Sequence, residues 1–351
     1  MWSFRNNRLL EPVDVTVTNL VGALGRYQGR QELYTHQVPQ VLDKLRTVAI
    51  IESTESSNRI EGIVVPPHRL KALMAQSEPQ TRPESEIAGY RDVLARIHTG
   101  QLKPPITPDL IRSIHAGIYA YLPGEGGQWK QRDNVIRQTL ADGREAIRFV
   151  PLPADETPAA MQELCRRFAE TWEADQVDKL LVINAFILDL ACIHPFADGN
   201  GRVSRLLALL LLYAAGYEVG RYISLERIVE QTKETYYEAL RQSSERWDTG
   251  QHMLTPWYQY SLSVLVHAYR AFEEQVGDLI TAPGAKSEAV QRVIATFGLD
   301  QTFAVGDLER LCPTVSRATI KRVLDELRTA GQVECMGKGR SAQWRKVRIS
   351  S

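Results

Sequence analysis

The chain has 351 residues, 42 Lys+Arg against 42 Asp+Glu, a formal charge of zero, with 44% hydrophobic and 24% charged residues. This is the composition of a folded globular protein, and it excludes intrinsic disorder and a whole-chain polycation that would coat nucleic acid or anionic membrane. The length suits two or three domains; the N-terminus lacks a signal-peptide pattern, and the dispersed Cys165, Cys192, Cys312 and Cys335, with no C-x-x-C pair, read as reduced thiols of a cytoplasmic protein.

Apolar residues recur at helical spacing over 38–51, 85–97, 110–121, 161–172, 180–193, 236–247 and 254–272, which predicts a mainly α protein. Residues 135–150 break the pattern: two short, partly apolar arms flank Ala141-Asp142-Gly143, a hairpin turn signal, and predict one exposed β-hairpin. The uncharged apolar stretch 206–217 is too short to cross a bilayer and suits a buried helix, so no membrane segment is expected. Thr281-Ala282-Pro283-Gly284 reads as a linker. Beyond it the chemistry changes: residues 286–351 hold 12 Lys+Arg and 7 Asp+Glu, a net +5, leaving −5 on the remainder.

Between two apolar helices lies His194-Pro195-Phe196-Ala197-Asp198-Gly199-Asn200-Gly201-Arg202-Val203-Ser204-Arg205. Gly199 and Gly201 let the backbone approach a ligand, and the N–H groups opening the next helix point at negative charge. Arg202 and Arg205, three apart in the first turns, work against the helix dipole unless an anion sits there. With Asp198 as a metal-holding acid, the set fits a polyphosphate carrying Mg²⁺, and His194 is the titratable base at the loop entrance. Each residue alone is compatible with a turn or a cap. The full pattern H-x-F-x-D-G-N-G-R-x-x-R fixes eight positions, and its chance occurrence in such a chain is on the order of 10⁻⁸.

This motif resembles the signature of the Fic (filamentation induced by cyclic AMP) family at all eight positions. The resemblance implies a protein adenylyltransferase that moves AMP from ATP to a Ser, Thr or Tyr hydroxyl of a target protein. It implies His194 as general base, Phe196 as anchor of the loop, and Asp198 as the Mg²⁺ ligand. Gly199, Asn200 and Gly201 would form the anion nest, with Val203 and Ser204 on the same ATP-binding turn, and Arg202 and Arg205 would hold the β- and γ-phosphates. Kinase-like relatives replace the second glycine with a bulkier basic residue; Gly201 is retained here, which favours AMP transfer. The hairpin at 135–150 stands where the family has its flap, on which a target segment adds as a strand. Ser224, Tyr236 and Tyr237 resemble the part that encloses adenine, and since neighbouring tyrosines on a helix point apart, Tyr237 is the one expected in the pocket. Upstream, Ser57-Asn58-Arg59-Ile60-Glu61-Gly62 matches the family's inhibitory pattern [ST]-x-x-x-E-[GN], with Gly62 as helix C-cap and Glu61 reaching Arg205.

The basic C-terminal stretch reads as helix, short helix, turn and a third helix opening at Ser316 with an apolar stripe of Ile320, Val323, Leu324 and Leu327. Two strand-like arms follow around Gly337-Lys338-Gly339-Arg340. This pattern looks like a winged helix-turn-helix, with Arg317, Thr319, Lys321 and Arg322 on the recognition helix and Lys338 and Arg340 at the wing tip as candidate DNA contacts.

The expected fold is therefore a mainly α, Fic-type helical bundle with one β-hairpin flap and a small C-terminal winged helix-turn-helix domain. Its expected parts are 1–105, an N-terminal helical region whose inhibitory helix ends near Gly62; 106–280, the catalytic domain; and 285–351, the winged domain. ATP and a protein hydroxyl are the expected partners, with self-modification, a homodimer and DNA as further ones. Two alternatives stand beside AMP transfer: removal of AMP by a water that Glu61 positions, and a DNA-binding regulator whose nucleotide site is a sensor.

Overall fold

Thr81, Thr107, Asp178, Ser224 and Ser316 each accept a hydrogen bond from a backbone N–H in the first turn of the helix that follows, so side-chain caps start these helices where a short polar residue precedes the helical run. The structure is a computed structural model that describes residues 1–37, 39–124, 126–139, 145–281, 285–312, 315–337 and 342–347, and side chains other than those of 32–41, 137–146, 277–285, 288 and 292. In chain order the elements are α1 (Val15–Gln37), α2 (Pro39–Ile60), α3 (Pro67–Met74), α4 (Arg82–His98), α5 (Pro108–Ile118), β1 (Ile136–Thr139), β2 (Glu145–Phe149), α6 (Thr157–Ala174), α7 (Lys179–Ile193), α8 (Asn200–Ala214), α9 (Leu225–Gln231), α10 (Lys233–Ser244) and α11 (Thr255–Thr281). They continue as α12 (Ala285–Thr296), β3 (Thr302–Ala304), α13 (Val305–Leu311), α14 (Arg317–Thr329), β4 (Val333–Met336) and β5 (Gln343–Lys346). The protein is mainly helical, as its periodicity predicts. Apolar spacing does not predict α1, whose Gly22, Gly25 and Gly29 weaken the helix signal.

The chain divides into two compact units, residues 1–31 with 43–271, and residues 32–42 with 272–351. In the larger unit α7 is apolar around its whole circumference and is buried along nearly its full length. It packs between α6 and α8. A second layer, α4 on α5, also meets α8. At that crossing Gly89 of α4 lies so close to the Ile118 carbonyl that a Cβ would overlap it. The two helices can approach this far only because residue 89 has no side chain.

The predicted hairpin is present as the antiparallel pair of β1 and β2. Its turn, including Ala141-Asp142-Gly143, lies outside the described residues. Ile136 pairs with Phe149 and Arg137 with Ile147, so Arg148 is the extra residue of a β-bulge.

In the smaller unit the strand order is β3-β5-β4, all antiparallel, with Trp344 paired to Phe303 on one side and Cys335 on the other. The predicted stripe of α14, Ile320, Val323, Leu324 and Leu327, is buried in one core with Val290, Ile294, Phe303, Leu308 and Trp344. The strand β3 is absent from the sequence expectation, since three residues are too few to carry a period. Residues 282–284 of the expected linker, and Lys338 and Arg340 of the expected wing tip, lie outside the described residues. Among the described residues no helix is long and apolar enough to cross a membrane.

Candidate active site

The twelve-residue motif is the hinge between α7 and α8. His194 ends α7 in a left-handed conformation, with φ 51° and its N–H on the Leu190 carbonyl at 2.9 Å. Phe196 is fully buried and stacks on the His115 ring at 3.8 Å. The Asn200 amide clasps the Phe196 backbone, accepting from its N–H at 2.9 Å and donating to its carbonyl at 2.8 Å. Gly199 precedes α8 in a left-handed conformation and supplies no side-chain bond to its first-turn N–H groups.

Sequence reasoning missed three residues that hold this loop. His115 accepts the Gly127 N–H on Nδ1 at 2.8 Å, which puts its proton on Nε2, where it donates to the Asp198 carbonyl at 3.1 Å. Burial pushes its pKa down to about 4 and keeps the ring neutral. Tyr119 donates to Asp198 Oδ2 at 3.1 Å, while Gly199 N–H meets Oδ1 at 2.7 Å. Both bonds fix the inner edges of a carboxylate whose side chain is 73% exposed. Lys130, 3% exposed, donates from Nζ to Asn134 Oδ1, the Leu152 carbonyl and the Ile193 carbonyl, and its own N–H meets the Pro195 carbonyl at 2.9 Å. These residues are scattered singles in the sequence, so no local pattern marks them. Burial first, then the Lys130 ammonium, lowers His194 to about 4, so its imidazole is neutral near pH 7 and free to take a proton.

The two motif arginines take different directions. Arg202 has no exposed side-chain surface: it pairs with Glu86 at 2.6 Å, donates to the Tyr119 hydroxyl at 2.8 Å and reaches Asn58 at 3.4 Å. Arg205 donates from Nη2 to Glu61 Oε1 at 2.8 Å and from Nε to Ser57 Oγ at 2.8 Å. Burial opposes the charge on Arg205, yet Glu61 with Tyr236 and Tyr90 holds its pKa above the ordinary value. Thus Ser57 and Glu61, 148 and 144 positions away, are brought onto the motif. Gly62 follows α2 with φ 79°. A Cβ on Gly201 would overlap Glu61 Oε1, so the carboxylate lies directly against the backbone at the start of α8.

Of the remaining sequence-selected residues, Val203 and Ser204 are buried, and Ser204 and Tyr236 line an apolar cavity of about 100 Å³ behind α8. Tyr236 packs on Trp257 and Tyr260, and Ser224 caps α9 and accepts from Ser53. Tyr237 is half-buried with the Arg148 guanidinium 4.7 Å from its ring centre and Lys233 at 5.8 Å. In the smaller unit Arg317 pairs with Glu309 at 2.6 Å and Arg322 with Glu326 at 2.5 Å; Thr319 bonds its cap Ser316, and Lys321 is exposed.

Residues 105–212 match the Fic/DOC family. The chain is 26% identical over 219 residues to a protein adenylyltransferase Fic of Drosophila mojavensis, spanning 60% of this chain and 40% of that one. It is 27% identical over 181 residues to the one of Drosophila erecta, spanning 50% and 32%. The chain therefore spans well under half the length of these curated relatives. A crystal structure of a Fic family protein from Desulfovibrio desulfuricans aligns over 97% of this chain and 98% of its own with a TM-score of 0.64 at 20% identity. Fic-1 from C. elegans aligns over 76% and 74% with a TM-score of 0.56 at 18% identity. Taken with the complete motif on its α7–α8 hinge, the family match shows that residues 105–212 carry a Fic/DOC domain.

Proposed function

We propose that the chain transfers AMP from ATP to a protein hydroxyl and that Glu61 restrains it. The observation that carries this reading is the Glu61 carboxylate seated on Arg205 and against Gly201, in the place an anion would take at the start of α8. His194, neutral near pH 7, accepts the proton of the target hydroxyl as its oxygen bonds to the α-phosphorus. The bond from that phosphorus to the bridging oxygen breaks, and diphosphate leaves. The N–H groups of α8 and a released Arg205 stabilise the charge on the leaving oxygens. Arg202, committed to Glu86, orients Tyr119 and through it Asp198.

Asp198 offers one exposed carboxylate, and among the described residues no group of three or more His, Cys, Asp or Glu can hold a metal. A single protein ligand fits Mg²⁺, which keeps several waters and takes phosphate oxygens. Asp198 would hold it, and when bound it supplies charge neutralisation on the diphosphate.

The test is purified protein with Mg²⁺ and α-labelled ATP, comparing wild type, Glu61→Gly and His194→Ala. Label on protein in the Glu61 variant and its absence in the His194 variant support the reading. No label in Glu61→Gly overturns it, and loss of existing label to wild type would favour AMP removal instead. For residues 285–347 we infer a winged helix, supported by the three-stranded antiparallel sheet and the helices α12, α13 and α14 around one core. Salt-dependent DNA binding lost on substituting Lys321 tests whether that module reads DNA.

A further inference from the structure

The proposed reaction needs cations on a polyphosphate, and both motif arginines are already engaged by carboxylates, Arg202 by Glu86 and Arg205 by Glu61. Lys233 is held by the Ile60 carbonyl at 2.8 Å. Arg148 differs: its guanidinium rests on the Tyr237 ring, and among the described residues no carboxylate pairs with it. Its position is a consequence of the backbone. Opposite Ile136 and Arg137 the strand β2 carries Phe149, Arg148 and Ile147, so Arg148 is the bulged residue. A bulge interrupts the alternation of side chains along a strand and re-aims one of them. Here it leaves Ile147 57% exposed and brings Arg148 to Tyr237. The guanidinium's charge is among the smaller influences that lower His194, behind burial and Lys130.

Resting on the adenylyltransferase reading, we propose that Arg148 is a further substrate-contacting residue, a cation delivered by the hairpin that leaves the Tyr237 ring when a nucleotide enters and pairs with the phosphate under attack. The phosphorus attacked must lie beside the hydroxyl that His194 deprotonates, and the chain beyond the strand that carries Arg148 runs on to Leu152, whose N–H meets the Cys192 carbonyl at 3.4 Å two residues before that base. Its present partner is an aromatic face, a weaker holder of a guanidinium than a phosphate oxygen. Tyr237 is thereby released to a base.

The test is calorimetric titration of ATP, AMP and adenosine, with AMP transfer measured alongside, in Glu61→Gly and in the same chain carrying Arg148→Ala or Arg148→Lys. Arg148→Ala is expected to weaken ATP and AMP by a similar factor of about ten, the size of one charge-assisted bond, and to leave adenosine unchanged or tighter. Arg148→Lys is expected to recover part of the loss. Thermal unfolding of the variants checks that the half-buried hairpin side chain is not needed for folding. Equal AMP affinity with and without Arg148, or adenosine weakened as much as AMP, overturns the proposal. Glu61→Gly binding ATP and transferring AMP while Arg148→Ala changes nothing sinks Arg148 alone; Glu61→Gly binding no nucleotide sinks the adenylyltransferase reading and this proposal with it.

Discussion

Glu61 Oε1 meets Arg205 Nη2 at 2.8 Å, the carboxylate side chain 30% exposed and the arginine 8%. A partly buried charged pair of this kind must open before another anion can use the arginine. Glu61→Gln keeps the length and one acceptor and removes the charge, which weakens the bond by about 1 kcal/mol. ATP is expected to bind about fivefold tighter to that variant than to wild type, and calorimetry decides. Unchanged affinity would mean that the pair does not compete with nucleotide.

The neutral His194 sets the acid limb of activity. Because its pKa is lowered from 6.5 to about 4, the transfer rate of Glu61→Gly should be flat through the range in which a free imidazole titrates and should fall only as pH approaches 4. His115 is lowered to about 4, and His98 and His252 to about 3, burial being the first cause in each. The folded chain therefore binds fewer protons than the unfolded one below pH 6.5. Stability should fall as pH drops from 6.5 towards 4, read from urea midpoints, and a constant midpoint would contradict the buried neutral rings.

Glu86→Ala leaves Arg202 charged and fully buried, with only the longer 3.8 Å approach to the Asp198 carboxylate in place of its 2.6 Å pair. Removing one partner of a buried pair costs about 3–5 kcal/mol, so this variant should be the least stable of those named here in urea unfolding. A loss below about 1 kcal/mol would show that water or Asn58 takes over the charge.

Lys130→Met keeps a similar length and breaks the ties to Leu152, Ile193 and Asn134. The His194 ring should then titrate at higher pH, since the ammonium that depresses it is gone. NMR of the ring protons measures this, and an unmoved titration would separate Lys130 from the base.

Tyr119→Phe removes one hydroxyl and with it the bonds to Asp198 and Arg202. The stability loss should be about 1 kcal/mol. The Mg²⁺ concentration that half-saturates AMP transfer in Glu61→Gly should rise several-fold, whereas the same half-saturation as in the parent would assign the hydroxyl to packing alone.

The loop from His194 to Arg205 was legible because its chemistry is compressed into twelve consecutive residues, and Ser57 to Gly62 because a short spacing carries a capped helix end. Tyr236 inward and Tyr237 outward follows from the 100° between neighbours on a helix. The direction of Arg202 was not legible, since its partner Glu86 lies 116 positions earlier and only the packing of α4 on α8 joins them. His115, Tyr119 and Lys130 stand alone in the sequence, and Arg148 looks like any hairpin residue until the bulge turns it. In the smaller unit the stripe of α14 was readable from its period, while β3 exists only because β5 offers it an edge.

The contact at Gly89 makes the site a matter of length. Tyr119 follows Ile118, whose carbonyl rests against the bare α-carbon of Gly89, so the reach of the tyrosine hydroxyl is measured from the backbone of α4. A single methyl group there would act as a shim between α4 and α5, displacing the tyrosine and rotating the Asp198 carboxylate without altering any residue of the loop. The aim of an exposed acid is gauged from the interior by a spacer one carbon thick.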